Sequence, residues 1–187
     1  MQISFIIPHK GRFEMLIQTI ESIAKQTFDL SQVEVIVVSQ TKEALSHTFC
    51  NDHSLRINTF LRPESDTISA LRNYGETQAS GEFLAFLDAD IYLSENWLEH
   101  MLNTLDCDPT RIIASAMQIC LPEAPPLEKI RTSLSNAELD TNVAFLPGRN
   151  LFLTRSAFHK IGGFPEHLLT CEDYYFTDQA AQLGALF

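Results

Sequence analysis

Two aspartates spaced two positions apart are the residues best suited to chemistry. Asp88 and Asp90 directly follow the apolar run Phe83–Leu87, in the segment FLAFLDAD. A buried strand here would carry both carboxylates to the carboxyl edge of a sheet, where open α/β folds bind ligands. Residues i and i+2 of an extended segment also point the same way. Paired carboxylates suit Mg²⁺ or Mn²⁺, but acidic residues after a strand are about as often a solvated turn.

Apolar strands and amphipathic helices must position these carboxylates. Seven apolar or β-branched runs predict strands: Ile3–Ile7, Val33–Val38, Arg56–Leu61, Phe83–Leu87, Arg111–Met117, Val143–Leu146 and Asn150–Thr154. Helices are predicted over Arg12–Gln26, Lys42–Cys50, Ser69–Ala79, a segment capped by Ser94, and Glu172–Leu183. The alternation indicates an α/β fold, a Rossmann-like, mostly parallel sheet with helices on both faces.

Residues 1–187 are expected to form a single domain, since no internal repeat or linker interrupts them. The segment Leu121–Leu127 (LPEAPPL) predicts a loop that breaks regular structure. The chain ends in the apolar segment Leu183–Phe187 (LGALF). This ending leaves two alternatives open: a chain truncated before a later region, or a helix that docks by its last residues.

The composition excludes several classes of partner. With 24 acidic and 13 basic residues the net charge is −11, so we expect no nucleic-acid partner and no broad surface for anionic membranes. Four widely spaced cysteines without a CxxC pair favour reduced thiols over disulfides or zinc. The first apolar run is too short for a signal sequence or a membrane span. We therefore expect a cytoplasmic protein, with peripheral association at the inner membrane face left open.

The segment around the aspartates carries a family resemblance. The continuous stretch ALRNYGETQASGEFLAFLDAD, residues 70–90, resembles the central signature of family 2 glycosyltransferases. That signature combines an Arg-Asn-x-Gly helix, a turn of small residues, an apolar strand and an acidic pair. The resemblance implies a GT-A fold, a nucleoside-diphosphate sugar donor, a divalent metal, Mn²⁺ or Mg²⁺, and inversion at the anomeric carbon.

The same resemblance assigns roles to residues of this stretch. It implies that Arg72 lies near the nucleotide and that Asn73 shapes its helix. Asp88 would contact the ribose or a metal-bound water, Ala89 would border the nucleotide, and Asp90 would bind the metal directly. Without the resemblance, Arg72 would be read as the partner of a surface carboxylate and Asn73 as a cap.

The amino-terminal segment FIIPHKGR is similar to the family's first strand and nucleotide loop. The similarity implies that Pro8, His9, Lys10 and Arg12 border the nucleotide, with positive charge for the diphosphate. A solvated basic loop is the alternative.

A second stretch, residues 148–176 (GRNLFLTRSAFHKIGGFPEHLLTCEDYYF), resembles the family's later signature. It implies that Gly148, Arg149 and Asn150 border the donor or acceptor sugar. Glu172 and Asp173 would be catalytic, with Asp173 preferred as the base. Carboxylates at a helix start are also favoured by the helix dipole alone, which is the structural alternative. His167 is an exposed loop residue on this reading, and the spacing of Trp97 with Met101 predicts a core position.

The sequence departs from the family pattern at the end of the second strand. The family places an acidic residue there to recognise the base, whereas this chain has Ser39 and Gln40. Either side chain can hydrogen-bond a base, so both remain candidates for nucleotide binding. A UDP-sugar is the expected donor, and a carbohydrate or lipid-linked molecule is the expected acceptor. The acidic residue that usually indicates a uridine base is, however, missing from this chain.

The resulting hypothesis is an inverting, metal-dependent glycosyltransferase of the hexosyltransferase type. Two alternatives stay open. A phosphohydrolase that uses the first aspartate of DxD would share the FLDAD segment, but it usually has that strand near its amino terminus. A nucleotide-binding domain without turnover would account for Ser39 and Gln40.

Overall fold

A seven-stranded mixed sheet forms the centre of the computed structural model, which describes residues 2–42 and 55–187. The strands are β1 (Ile3–His9), β2 (Val33–Ser39), β3 (Arg56–Leu61), β4 (Phe83–Leu87), β5 (Arg111–Ala114), β6 (Asn150–Thr154) and β7 (Ala185–Leu186). Their order is β3-β2-β1-β4-β6-β5-β7. Strand β6 is antiparallel to β4 and β5, and every other neighbouring pair is parallel. The predicted α/β class with a mostly parallel sheet is confirmed.

Helices cover both faces of this sheet. They are α1 (Phe13–Ala24), α2 (Ile68–Gln78), α3 (Trp97–Asp106), α4 (Pro126–Ser135), α5 (Arg155–Ile161) and α6 (Glu172–Ala181), and a 3₁₀ turn spans Leu30–Gln32. Among the described residues, no helix is both long and apolar enough to cross a membrane.

Successive side chains of the buried strands point to opposite faces of the sheet, so the hydrophobic core consists of two clusters, one on each face. On one face α1 and α3 pack against side chains such as Phe5, Ala85 and Phe152, and Trp97 is 3% exposed there, as its spacing predicted. On the other face α2, α5 and α6 pack against side chains such as Ile6 and Phe86. All seven residues of β1 are buried because the strand lies between β2 and β4 and is covered on both sides.

Helix starts are where prediction and structure differ most. Ser94 does not cap α3: the helix begins at Trp97, and no side chain caps it. The backbone oxygen of Ser94 instead accepts from the side-chain amide of Gln26. The segment predicted as a loop ends in helix α4, because proline at the first helical position loses no hydrogen bond and already has a helical φ angle.

The predicted strands near the carboxyl terminus were also partly wrong. Strand β5 ends at Ala114 rather than Met117, and β6 pairs only with its Ile113 and Ala114. The segment Val143–Leu146 is not a strand, since only Val143 forms an isolated bridge, to Leu186. The last residues extend no helix but form the edge strand β7, which pairs with β5. The predicted helix Lys42–Cys50 lies almost entirely outside the described residues.

Candidate active site

The chemically active residues meet at one edge of the sheet. The parallel strands β1, β2 and β4 all end there, and the antiparallel β6 begins there. The backbone N–H of Asp88 donates to the Arg149 carbonyl at 3.0 Å, which ties the end of β4 to the residue before β6. This is the edge at which the sequence placed Asp88 and Asp90.

Arg72 is the centre of the site. Its side chain is 2% exposed and projects from α2. Nη2 donates to Asp88 Oδ1 at 3.0 Å and to the Gly148 carbonyl at 2.9 Å, while Nη1 donates to Glu172 Oε1 at 3.1 Å. The guanidinium also lies 5.0 Å from the centre of the Phe164 ring. Its contacts are to protein groups beneath the edge, and its predicted position near the nucleotide stays a prediction.

Asp88 is held between opposing electrostatic effects. Burial raises the pKa of its carboxyl above the ordinary 3.8, the charge of Arg72 opposes this, and the nearby Asp90 raises the pKa further. The Arg149 guanidinium adds a smaller opposing effect. The net pKa of Asp88 is raised, so its ionised form depends on nearby cations.

Asp90 faces a different partner from Asp88. Strand β4 ends at Leu87, and Ala89 and Asp90 form a turn, so the two aspartates do not share the extended geometry that their spacing predicted. Arg12 Nη2 lies 2.9 Å from Asp90 Oδ2, and both side chains are accessible to solvent. Gly11 and Arg12, in the loop after β1, both adopt left-handed backbone angles. Lys10, in the same loop, is exposed.

The oxygen donors of Asp88 and Asp90 fit a hard cation such as Mg²⁺ or Mn²⁺. Within residues 2–42 and 55–187, however, no group of three histidine, cysteine, aspartate or glutamate side chains is arranged to hold a metal. A cation at this edge would therefore need oxygen ligands from phosphate and water as well as from the protein.

The residues predicted to recognise the base are buried. Pro8, His9, Ser39 and Gln40 are all nearly inaccessible, and His9 Nδ1 lies 2.9 Å from Ser39 Oγ. The Gln40 amide nitrogen donates to the carbonyls of Pro63 and Asp66, at 2.8 and 3.0 Å. Both of its N–H groups are thus used to hold the loop after β3. Neither Ser39 nor Gln40 presents a free donor at the surface, and their contact with a base stays a prediction.

Asp173 is fixed by two backbone amides. Its Oδ2 accepts from the Gly148 N–H at 3.0 Å, and its Oδ1 accepts from the Tyr174 N–H at 2.8 Å. A β-carbon added to Gly148 would lie 2.9 Å from Asp173 Cβ and 3.1 Å from Arg72 Nη1. Only glycine lets the chain pass this closely between the two side chains. Glu172, in contrast, is committed to Arg72.

Other predicted residues have structural positions. The Asn73 side chain exchanges two hydrogen bonds with the Phe164 backbone, so it clamps the loop before α6 rather than shaping its own helix. Asn150 is 6% exposed, and its Oδ1 has no hydrogen-bond partner among the residues that the structure describes; its contact with a sugar stays a prediction. His167 is exposed and lies near the ring of Tyr175.

Two side-chain contacts to distant loops, made by Gln40 and Asn73, could not be predicted from the sequence. Gln40 and Asn73 each hold a loop that belongs to a different part of the chain, and nothing in the local spacing identifies such a contact.

The chain is similar in sequence to known glycosyltransferases. Residues 4–162 match the family model "Glycosyl transferase family 2", a span that includes Asp88 and Asp90 but ends before Glu172 and Asp173. The chain is 26% identical to glycosyltransferase AglE of Haloferax volcanii over 190 residues, covering 97% of this chain and 62% of that protein. It is 25% identical to the poly(ribitol-phosphate) beta-N-acetylglucosaminyltransferase TarS of Staphylococcus aureus, covering 96% of this chain and 32% of TarS.

Solved structures share the fold. TarS residues 1–349 in complex with UDP superpose with a TM-score of 0.77 at 22% identity, covering all of this chain and 58% of that one. The mannosyltransferase PcManGT of Pyrobaculum calidifontis, in complex with GDP-Man and Mn²⁺, also gives 0.77, at 19% identity, covering 100% of this chain and 54% of that one. The chain spans less than two thirds of the length of each of these proteins.

Proposed function

The chain belongs to glycosyltransferase family 2, and from that premise we propose that it moves a sugar from a nucleoside-diphosphate donor to an acceptor hydroxyl with inversion. The observation that carries the proposal is the buried Arg72, which binds Asp88 of the central signature and Glu172 of the later one. The Arg72 side chain thereby fixes the position of Asp88 relative to the first turn of α6. We take residues 1–187 as one catalytic domain.

The proton acceptor in this proposal is Asp173. A carboxylate has about four lone-pair positions, and the two backbone amides use one on each oxygen. The remaining positions can receive the acceptor hydroxyl, while the amides hold the carboxylate in a single orientation. Glu172 is less suited because its carboxylate is paired with Arg72.

The reaction is a single displacement. The acceptor oxygen attacks the anomeric carbon as its proton passes to Asp173. The bond from that carbon to the diphosphate oxygen breaks, and its electron pair leaves with the diphosphate. Because the attack comes from the face opposite the leaving group, the anomeric configuration inverts.

The diphosphate needs positive charge around it. Lys10 and Arg12 lie exposed in the loop after β1, and the Arg12–Asp90 pair places one of these cations at the edge. Asp90 and Asp88 would hold Mn²⁺ or Mg²⁺, which would stabilise negative charge on the leaving diphosphate. The support for this part of the proposal is the oxygen-only donor set at the turn after β4.

A UDP-sugar is the first donor to test, since TarS, which has the same fold, was solved with UDP and with UDP-GlcNAc. PcManGT, with the same fold, was solved with GDP-Man. Because Ser39 and Gln40 replace the family's acid and are buried, we propose weak discrimination among bases. The acceptor is a carbohydrate or a lipid-linked molecule.

Nucleotide-dependent thermal stabilisation tests the donor site. UDP, TDP and GDP are each added with and without Mn²⁺; a ligand at 100 times its Kd stabilises by about 2.7 kcal/mol. We expect stabilisation that requires the metal and differs among the nucleotides by less than about a hundredfold in affinity. Donor hydrolysis is then followed with UDP-GlcNAc and GDP-mannose. Binding of nucleotide without hydrolysis or transfer would identify a domain without turnover, and metal-dependent cleavage of a generic phosphate ester would identify a phosphohydrolase.

A further inference from the structure

Two exposed aromatic side chains lie in contact beside the proposed base. Phe145 is 39% exposed and Tyr174 60%. Their centroids are 5.8 Å apart, and the ring planes are tilted by 37°. Single exposed apolar residues are common on protein surfaces, but two rings in contact form a continuous apolar surface that could bind a ligand.

The aromatic pair joins the same two segments as the Asp173 contact. Gly148 donates to Asp173 Oδ2 at 3.0 Å, and three residues earlier Phe145 meets Tyr174, the neighbour of Asp173 in α6. The Tyr174 N–H also holds Asp173 Oδ1. The carboxylate and the aromatic pair are thus positioned by one interface, between residues 145–148 and the first turn of α6.

The surrounding charge selects the kind of ligand. Residues 141–147 (TNVAFLP), 167–171 (HLLTC) and 174–177 (YYFT) contain neither lysine nor arginine. Arg72 reaches the Gly148 carbonyl, but its guanidinium is buried and paired with Asp88 and Glu172. A phosphate group would find little positive charge here, whereas a neutral ligand with one apolar face and a rim of hydroxyls suits two aromatic rings beside a carboxylate.

We propose that Phe145 and Tyr174 form an acceptor subsite that takes the C–H face of a pyranose ring, with one hydroxyl of that sugar directed to Asp173. This inference rests on the proposed glycosyl transfer and narrows its acceptor to a carbohydrate. Stacking on the rings excludes water from one face of the sugar and orients its hydroxyls. The subsite lies on the α6 side of the edge.

Saturation-transfer NMR with methyl glycosides tests the subsite directly. A panel of methyl hexopyranosides is added at millimolar concentration to the full chain with UDP and Mn²⁺ present. We expect at least one glycoside to receive saturation, strongest at the ring hydrogens of a single face. Tyr174→Ala and Phe145→Ala should each weaken its binding about tenfold, and Tyr174→Phe should retain it because the ring remains.

Tyr92→Ala is the matched control, since Tyr92 is 62% exposed but contacts Lys25 on the α1 side. UDP binding in the same samples reports on the donor site, so a chain that binds no nucleotide fails the proposed function and not the subsite alone. The subsite is overturned if the UDP-bound chain transfers saturation to none of the glycosides, or transfers it equally in Tyr174→Ala. Preferential binding of ribitol 5-phosphate would equally overturn it, in favour of a phosphate-bearing acceptor.

Discussion

Arg72 Nη2 donates to Asp88 Oδ1 at 3.0 Å, and the arginine side chain is buried, with 2% of its surface exposed. The two residues lie 16 positions apart, on α2 and at the end of β4, and the other branch of the guanidinium reaches Glu172, 100 positions from Arg72. The pair therefore joins the end of the central strand to the first turn of the last helix. Any change at Arg72 acts on stability and on both halves of the site.

Arg72→Met should destabilise the fold, since it leaves Asp88 and Glu172 beside an apolar side chain. Removing one partner of a fully buried ion pair costs 3–5 kcal/mol; here we expect about 2 kcal/mol, because water still reaches part of Asp88. The measurement is the free energy of unfolding in urea. Arg12→Met is the control, because its pair with Asp90 is exposed and its loss should cost less than about 1 kcal/mol. Equal losses in the two variants would contradict a structural role for the buried arginine.

The raised pKa of Asp88 predicts a pH-dependent stability difference. Burial makes the folded chain bind this proton more tightly than the unfolded chain. The resulting stabilisation is fully present below the ordinary pKa of 3.8 and is lost as the pH rises through the folded-state value. Asp88→Asn cannot titrate, so the stability of the wild type minus that of the variant should fall as the pH rises. Urea unfolding of both proteins across this range measures it. A difference that grows with pH would mean that Arg72 outweighs burial.

Most of the fold could be predicted from local patterns. The run Phe83–Leu87 consists entirely of apolar residues, as a strand covered by helices on both faces requires. Its bounds match those of β4. Helix α2 was recognisable by its spacing and begins one residue before the predicted start, because Thr67 caps it. Helix α4 was missed because the three prolines of Leu121–Leu127 signal a break, although the last of them starts a helix.

Contacts across the chain were beyond such patterns. Nothing near Gln40 indicates that its amide holds the loop at Pro63 and Asp66, and this contact uses both N–H donors of the side chain. The partners of Arg72 likewise depend on its burial in the folded chain. The neighbouring residues in the sequence would be the same whether Arg72 faced a nucleotide or a carboxylate. The position of Asp88 at the sheet edge followed from strand polarity, whereas the approach of Asp173 to that edge, through Gly148 and Arg72, depends on tertiary packing.

Asp90→Asn should weaken Mn²⁺-dependent binding of UDP, because a neutral amide is a poorer ligand for a hard cation. Even groups that only support a metal ligand typically contribute 10–100-fold, so we expect a loss of at least about tenfold. The fold should persist, since the variant loses only the exposed pair with Arg12. Calorimetry with and without Mn²⁺ measures the effect. Asp106→Asn, at an exposed aspartate ending α3, should leave it unchanged. Unaltered metal-dependent binding in folded Asp90→Asn would remove this residue from the site.

Asp173→Asn separates chemistry from folding. If Asp173 only holds backbone amides, the asparagine loses one of two acceptors and the fold loses about 1 kcal/mol, with little change in transfer. If Asp173 is the general base, transfer should fall by roughly 10²–10⁴-fold. Donor binding should stay nearly normal, because Asp88 and Asp90 are unchanged. The assay must follow transfer to the acceptor, since slow donor hydrolysis uses water and can bypass the base.

Glu172→Gln provides the comparison at the neighbouring position. It weakens the contact with Arg72 at 3.1 Å and should therefore affect stability more than the chemical step. Urea unfolding and transfer rates measured on both variants give two independent readouts. Asp173→Asn should lower the transfer rate far more than its loss of stability explains, and Glu172→Gln should not. Near-normal transfer by Asp173→Asn would refute the assignment, and a large loss confined to Glu172→Gln would move the base to Glu172.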